Sequence, residues 1–254
     1  MIYIESLLVA LSTYSRVPVP QFEWNERNMK YAICFFPVVG IICGAVLYAW
    51  YSLCIWLGLS AFLFAAVAAC IPLIVTGGIH MDGYMDTMYA LSSHQSRERM
   101  LQIMKDPNCG AFSVIYCAVY LLVQTGFLYE LYGANQIMVL CPAFALSRAL
   151  SAFGAVSLPN AKKSGMLHAF TKDAEKRITK FWLIIWLLSS AAVMLLLSFY
   201  NAVPALILAG LAMLFYVRMA MRKFGGATGD TTGFCLQICE LALLVGACAG
   251  GIIL

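Results

Sequence analysis

Two aspartates, Asp82 and Asp86, follow a long stretch of sequence without any charged residue, the last one before them being Lys30. On a helix, side chains at positions i and i+4 project from one face, with Cβ atoms about 6 Å apart. Two carboxylates that close repel each other unless a cation lies between them, and hard oxygen ligands suit Mg²⁺ or Mn²⁺. The spacing therefore indicates either a metal site or an ordinary solvated helix end.

Two further residues add to this candidate site. His80, two residues before Asp82, is a candidate general base or phosphate partner, or a plain helix-end residue. Asp230 lies in the glycine-rich stretch GGATGDTTG, where backbone N–H groups can approach a phosphate, although a flexible connector has a similar composition. The candidate metal ligands are Asp82, Asp86 and Asp230, and the candidate catalytic residues are these three and His80.

Basic side chains that suit phosphate binding lie in the same polar segments. The stretch SRERMLQIMKDPNCG contains three of them, and Ser96 is a candidate N-cap for a short helix there. The alternative is an interfacial helix whose basic side faces anionic lipid headgroups. The candidate phosphate-binding residues are Arg97, Arg99, Lys105, Arg148, Lys162 and Lys163.

Arg148 and Glu240 are ionisable residues within apolar stretches of the sequence. Such residues are costly inside a membrane and usually mark a functional site or a pair. Two interpretations of Arg148 are open: it binds a substrate phosphate, or it forms a structural ion pair with Glu240.

The elements that must position these residues follow from the composition. Of 254 residues, 63% are hydrophobic and 11% are charged, whereas soluble domains carry about 25% charged residues. We therefore predict an all-α, polytopic membrane bundle in one domain, with about seven spanning helices of about 20 apolar residues each. An N-terminal amphipathic helix with Leu7, Leu8 and Leu11 on one face and a short cytoplasmic helix complete it. The predicted spans are 31–57, 62–78, 111–132, 137–156, 181–199, 204–221 and 233–254.

The charges test this arrangement. All sixteen lysines and arginines except Arg148 fall in the N-terminal segment or in the segments on one side, at 79–110, 157–180 and 218–231, the last of which includes the end of the predicted span 204–221. The turns on the other side, near 58–60, 133–136 and 200–203, contain none. By the positive-inside rule the charged side faces the cytoplasm. The small net charge of +4 and the loop positions of the basic residues favour membrane orientation over nucleic-acid binding. The ten cysteines lack a CxxC pair, so we expect neither a disulfide nor a zinc site.

Several stretches of this sequence, in order, resemble the cobalamin synthase family of adenosylcobinamide-GDP ribazoletransferases. They are YSRVPVP, FFPVVG, GGIHMDGYMDT, SRERMLQIMKDPNCGAF, NAKKSGMLHAF and GGATGDTTG with Glu240 beyond it. Together they cover nearly the whole chain.

The resemblance implies a fold, a reaction and a location. The family transfers the phosphate-linked corrinoid of adenosylcobinamide-GDP to α-ribazole or its 5′-phosphate, releasing GMP and forming adenosylcobalamin or its 5′-phosphate. It uses Mg²⁺ and resides in the bacterial inner membrane, so the lipid bilayer is an expected partner and the active site is expected to face the cytoplasm. One residue departs from the family pattern, because many relatives have a third acid where this chain has Tyr89.

Two other functions remain open on the residues alone. CDP-alcohol phosphotransferases and polyprenyl transferases also use aspartate-rich motifs and Mg²⁺ on a diphosphate. The GATGD and KDPNCG stretches favour the cobalamin synthase family over both, and the lack of a second DxxxD motif disfavours a prenyl transferase. A transporter would suit the intramembrane Arg148 and Glu240, yet transport sites lie near the middle of the membrane between broken helices, and nearly all polar groups here are predicted on one face.

Overall fold

The computed structural model describes residues 2–20, 24–106, 108–134, 136–162, 165–172 and 175–252. Over these residues the chain is almost entirely helical, and its extended pairing is limited to a short parallel bridge between Asn160 and Ala227. The predicted all-α fold class is confirmed.

Twelve α-helices follow one another along the described chain. They are α1 (Ile2–Tyr14), α2 (Glu26–Met29), α3 (Phe36–Leu57), α4 (Ala61–Thr76), α5 (Ile79–Ser92), α6 (Arg97–Ile103), α7 (Ala111–Gly133), α8 (Leu140–Ser157), α9 (Met166–Lys172), α10 (Lys176–Leu197), α11 (Phe199–Met219) and α12 (Gly229–Ile252). Short 3₁₀ turns at Ala32–Phe35 and Ile137–Val139 precede α3 and α8, and a π-helical stretch at Ala220–Phe224 extends α11.

Six stretches of the described chain are long and apolar enough to cross a membrane, and they contain α3, α7, α8, α10, α11 and α12. A seventh exists only if α4 and α5 are taken as one broken span. The chain is therefore a multi-pass membrane protein. Helices α8 and α12 lie mostly buried at the centre, whereas α7 and α10 expose large apolar side chains such as Leu122 and Leu188, as lipid-facing helices do.

The segment that carries the aspartates differs from the sequence prediction. The predicted span 62–78 corresponds to α4, which ends at Thr76, and the aspartates lie on a separate helix, α5, that turns away from α4 by 97°. The physical reason is the pair Gly77 and Gly78, with φ of 67° and 79°, a left-handed backbone that stops a helix and that glycine adopts without strain. Helix α4 is apolar along its whole length, whereas α5 carries Asp82 and Asp86. We therefore treat α4 as the part of this pair that crosses the membrane and α5 as a segment outside the membrane spans.

The predicted cytoplasmic loops are more ordered than expected. The segment 79–110 holds α5 and α6, and 157–180 holds α9. Helix α12 begins at Gly229 instead of near 233, so Asp230 lies in its first turn and not in a connecting loop.

The two predicted short helices are present. Ser96 caps α6 by accepting a hydrogen bond from the backbone N–H of Arg99, and Met100 is buried beneath it, as expected. In α1 the fully buried residues are Ser6, Val9 and Ala10, whereas the predicted face of Leu7, Leu8 and Leu11 is half-buried, with Leu11 packed against the same core cluster as Val9. The small side chains lie inward because α1 packs closely against α2 and the 3₁₀ turn before α3.

Candidate active site

The candidate active site forms where α5 crosses the beginning of α12. A Cβ atom built on Gly83 would lie 2.8 Å from the carbonyl oxygen of Asp230, and one built on Gly233 would lie 3.0 Å from the carbonyl oxygen of His80. The two helices therefore meet backbone to backbone, which only glycines allow. This contact brings Asp82 and Asp86, one turn apart on α5, to the helix end that carries Asp230.

The start of α12 is held by a reciprocal cap. The side chain of Thr228 accepts a hydrogen bond from the backbone N–H of Thr231 at 3.1 Å, and the Thr231 hydroxyl oxygen accepts one from the backbone N–H of Thr228 at 2.8 Å. This is a capping box with threonine in place of the usual acid. It fixes Asp230, which lies between the two threonines.

Lys162 reaches the same place from another loop. The backbone N–H of Ala227 donates to the carbonyl of Pro159, and the N–H of Ala161 donates to the carbonyl of Ala227, so the loop before α9 is tied to the glycine-rich loop. As a result the Lys162 ammonium forms an ion pair with Asp230 at 3.4 Å. Lys163 lies outside the described residues.

The carboxylates influence each other electrostatically. Burial raises the pKa of Asp86 to about 6, and the negative charges of Asp82 and Asp230 add to the shift, while Lys162 opposes it. Across the described part of the chain, no three histidine, cysteine or carboxylate side chains form a preformed metal-binding group. The arrangement is thus an open set of carboxylates. Such a set suits Mg²⁺, which usually keeps several waters and shares its remaining ligands with substrate phosphates.

His80 is a buried, neutral residue. Its side chain is 7% exposed and packs against the neighbouring rings of Tyr14 and Phe36, with ring centroids 6.4 and 5.3 Å away. Burial, together with the positive charge of Arg148, lowers the pKa of His80 to about 3. An imidazole with so low a pKa is a weak base, which argues against His80 as the general base and favours a hydrogen-bonding role.

Two concave regions meet at Asp82. A cavity of about 320 Å³ lies between α5, α8 and α12, with mostly apolar walls; we call it the His80 cavity. It is lined by Tyr14, Ile33, Phe36, Ile79, His80, Asp82, Gly83, Ser151, Ala152, Ala155, Met166, Leu167, Gly229, Asp230, Thr232 and Gly233. A larger, more open region of about 650 Å³, which we call the Arg16 groove, runs along the Gly77–Gly78 break and shares Ile79 and Asp82 with the cavity.

Arg148 forms a buried pair with Glu240. The guanidinium donates to the Glu240 carboxylate and also to the Ser147 hydroxyl, at 3.2 Å, and the Arg148 side chain is fully buried. The structure therefore shows the ion pair that the sequence left open as the alternative role. Because its side chain is fully buried and its carboxylate partner is Glu240, Arg148 is not exposed to a substrate phosphate in this structure, although its Nε has no partner among the described residues.

Comparison with known proteins identifies the family. A family model described as cobalamin-5-phosphate synthase matches residues 6–248. The chain belongs to this family. An adenosylcobinamide-GDP ribazoletransferase of Lachnoclostridium phytofermentans is 41% identical over 95% of this chain and 92% of the relative. Relatives of the same name are 33% identical in Desulfitobacterium hafniense, over 95% of each chain, and 31% identical in Clostridium botulinum strain Alaska E43, over 96% and 97%. No solved structure matches this chain.

Tyr89, the residue that departs from the cobalamin synthase pattern, has a packing role in this family member. A Cβ atom on Gly110 would lie 2.7 Å from Cδ2 of Tyr89, so the ring is pressed against the backbone just before α7. Tyr89 thereby packs the last part of α5 against the start of α7. Among the described residues, the carboxylates of this site come from α5 and α12.

The other predicted cations lie around the glycine-rich loop. A Cβ atom on Gly225 would lie 2.6 Å from Nη1 of Arg97, so this side chain docks α6 onto the loop. Arg99 donates to the Gln102 side chain at 3.1 Å, and Lys105 is exposed beyond the end of α6. Within the described residues, none of the three forms a salt bridge with an aspartate.

Arg16 is a site residue that the sequence reasoning missed. Its side chain lies against Gly77 and lines the Arg16 groove together with Asp82, and its backbone N–H donates to the carbonyl of Val75 at 2.7 Å. Arg16 is the basic residue of the YSRVPVP stretch, but only the break between α4 and α5 brings it to the aspartates.

Proposed function

We propose that this protein is an adenosylcobinamide-GDP ribazoletransferase. It would transfer the phosphate-linked corrinoid of adenosylcobinamide-GDP to α-ribazole or its 5′-phosphate, giving adenosylcobalamin or its 5′-phosphate and GMP. Family membership supports the reaction. The observation that carries it is the position of Asp82 and Asp230 in the lining of a cavity of about 320 Å³, with Lys162 paired to Asp230 and Asp86 one turn from Asp82, because diphosphate chemistry needs charge neutralisation and positioning more than covalent catalysis.

The residues fit a magnesium ion. Asp82, Asp86 and Asp230 supply hard oxygen ligands, and the pKa of Asp86 is raised first by burial and then by the negative charges of Asp82 and Asp230, which a bound cation would offset. These three residues would hold the ion. When bound, it neutralises the diphosphate oxygens and stabilises the charge on the departing GMP.

The protein's own side chains bind and orient the two substrates. A hydroxyl oxygen of the acceptor ribose forms a bond to the phosphorus on the corrinoid side, the bridging P–O bond breaks, GMP leaves with that electron pair, and the hydroxyl proton is released to water. Lys162, partly exposed and only 3.4 Å from Asp230, is placed to exchange its carboxylate for a phosphate oxygen. Arg16 offers a second cation on the groove side of Asp82.

The charge asymmetry supports a location for this chemistry. The site is built from the same helix ends that carry the basic loops, so the positive-inside rule favours an active site on the cytoplasmic face of the bacterial inner membrane. Family membership decides against the two alternatives, a different membrane transferase and a transporter.

A direct assay tests the proposal. Membranes that contain the protein are incubated with adenosylcobinamide-GDP, α-ribazole and Mg²⁺, and GMP and a cobalamin product are measured. We expect both products in equal amounts, and their absence with folded protein would contradict the transferase function.

The metal assignment has its own test. Asp82→Asn should abolish product formation while the protein still folds and inserts. The matched control is Asp106→Asn, which removes an exposed aspartate of a neighbouring loop whose side chain only holds Asn108. An Asp82→Asn protein with near-normal activity would remove Asp82 from the metal site.

A further inference from the structure

The His80 cavity has two chemically different ends. Its deep walls are apolar and aromatic, with Ile33, Phe36 and Ala152 among them, while Asp82 and Asp230 lie at its polar end. Small-molecule sites typically measure about 300–1,000 Å³, so the cavity is at the small end of this range. It has room for a nucleoside but not for a corrin macrocycle.

His80 gives the cavity an unused polar atom. Its Nδ1 is buried and has no hydrogen-bond partner among the described residues, and the imidazole lines the cavity. Buried polar atoms are nearly always paired, because an unpaired one loses its hydrogen bond to water without replacement. Tyr14 and Phe36 contact each other and cover one side of the ring with apolar groups that offer Nδ1 no partner, so a molecule bound in the cavity is the partner that we assign to it.

We infer that the His80 cavity binds the heteroaromatic base of the acceptor nucleoside, with His80 Nδ1 hydrogen-bonded to it and the ribose directed toward Asp82 and Asp230. This inference rests on the proposed transferase function. The base of α-ribazole is a flat benzimidazole whose edge carries a single free ring nitrogen. That matches one imidazole hydrogen-bonding group among apolar walls.

The guanosine of the other substrate fits this cavity poorly. The edge of guanine presents several donors and acceptors, and burying them against apolar walls without partners is unfavourable. Among the described residues, the other polar side chains of the lining are Tyr14, Ser151 and Thr232, and the Thr232 hydroxyl already donates to the carbonyl of Gly229 at 2.7 Å. The Ser151 hydroxyl is already used, since it donates to the carbonyl of Thr232 at 2.8 Å. The corrinoid and its GDP would instead occupy the open Arg16 groove, across Asp82 from the base.

Direct binding gives the first test. α-Ribazole alone is titrated into the detergent-solubilised protein without Mg²⁺ or the corrinoid substrate, and binding is followed by the fluorescence of the benzimidazole. We expect saturable binding that Ala152→Val weakens about tenfold, because the two added carbon atoms would overpack a filled site by about that much. The control, Ala145→Val, adds the same methyl groups at an equally buried position of α8 that does not line the cavity, and should leave binding unchanged. No saturable binding to the folded wild type would overturn the inference, whatever its activity.

Kinetics and the histidine variants complete the test. Ala152→Val should raise the KM for α-ribazole about tenfold and leave the KM for adenosylcobinamide-GDP within about twofold. His80→Phe should weaken α-ribazole binding, and His80→Asn, which keeps a polar group near the position of Nδ1, should restore most of it. If Ala152→Val raises the KM of the corrinoid substrate instead, the transferase function stands and this assignment of the cavity is wrong. If the wild type is inactive but still binds α-ribazole, this assignment of the cavity stands and the proposed transferase function is wrong.

Discussion

At the residue scale, burial and the repulsion between neighbouring carboxylates both disfavour the ionised form of Asp86 in the candidate site. The pKa of Asp86 is raised from 3.8 to about 6 by burial and by the charges of Asp82 and Asp230. An acid whose pKa is higher in the folded than in the unfolded state binds its proton more tightly when folded. The metal-free protein therefore gains stability as the pH falls from above 6 toward 4, and it carries the full penalty at pH 8.

We predict that Asp86→Asn stabilises the metal-free protein at pH 8. The free energy of unfolding should rise by about 1 kcal/mol, a value reduced from the full shift because Asp86 is partly exposed to solvent. The gain should shrink at pH 5, and the stabilisation that Mg²⁺ gives the wild type should disappear. Thermal unfolding in detergent, with EDTA or with MgCl₂, measures all three. Asp106→Asn serves as the control, and an Asp86→Asn protein no more stable than the wild type at pH 8 would contradict the repulsion.

The pair of Arg148 and Glu240 separates a structural role from a catalytic one. Removing one partner of a buried ion pair costs about 3–5 kcal/mol, whereas replacing both partners with apolar residues is often nearly neutral. We predict that Arg148→Met and Glu240→Gln each give little folded protein, and that Arg148→Met combined with Glu240→Leu restores folding and most of the activity. Size-exclusion profiles and the transferase assay test this. A double variant that folds but has no activity would contradict a purely structural role for the pair and would support phosphate binding by Arg148.

At the scale of elements, the site depends on how closely α5 approaches α12. We predict that Gly83→Ala lowers transferase activity about 100-fold, because its Cβ would lie 2.8 Å from the carbonyl oxygen of Asp230 and a displacement of about 1 Å can cost that much. The protein should still insert, since the spanning helices remain.

Matched glycines on other helices provide the control for this prediction. Gly126 on α7 and Gly210 on α11 have open space where a Cβ would be. Alanine there should leave activity unchanged and stabilise the helix by up to about 1 kcal/mol. An active Gly83→Ala protein would show that the two helices can separate without harm to the site.

The sequence predicts the helices themselves better than the tertiary contacts between them. Hydropathy and residue type are local properties, so the spanning helices, the cap at Ser96 and the three aspartates can be predicted directly. The proximity of Lys162 to Asp230 depends on the backbone pairing of Asn160 with Ala227, which no local pattern predicts. The adjacent glycines Gly77 and Gly78 are a sequence signal for the break between α4 and α5. Because apolar residues on both sides also fit one continuous helix, this signal alone does not predict the break.

At the scale of the whole molecule, the chemistry is concentrated at one end of the bundle. The helix ends near Gly77, Ser157 and Gly229 carry the aspartates and the basic loops. The opposite ends, near residues 58–60, 134–136 and 198, carry no lysine or arginine. Because the positive-inside rule acts on such short loops, this asymmetry favours one orientation of the whole chain in the membrane.

A natural cysteine tests the orientation. Cys109 is exposed between α6 and α7, on the side of the aspartates. We predict that a membrane-impermeant maleimide labels the protein in inside-out vesicles and not in right-side-out vesicles, and that Cys109→Ser removes this labelling. In that background, Phe199→Cys, at the exposed start of α11, should be labelled from the opposite side. Labelling of Cys109 in right-side-out vesicles would place the aspartates outside the cell. The orientation predicted from the charge asymmetry would then be wrong.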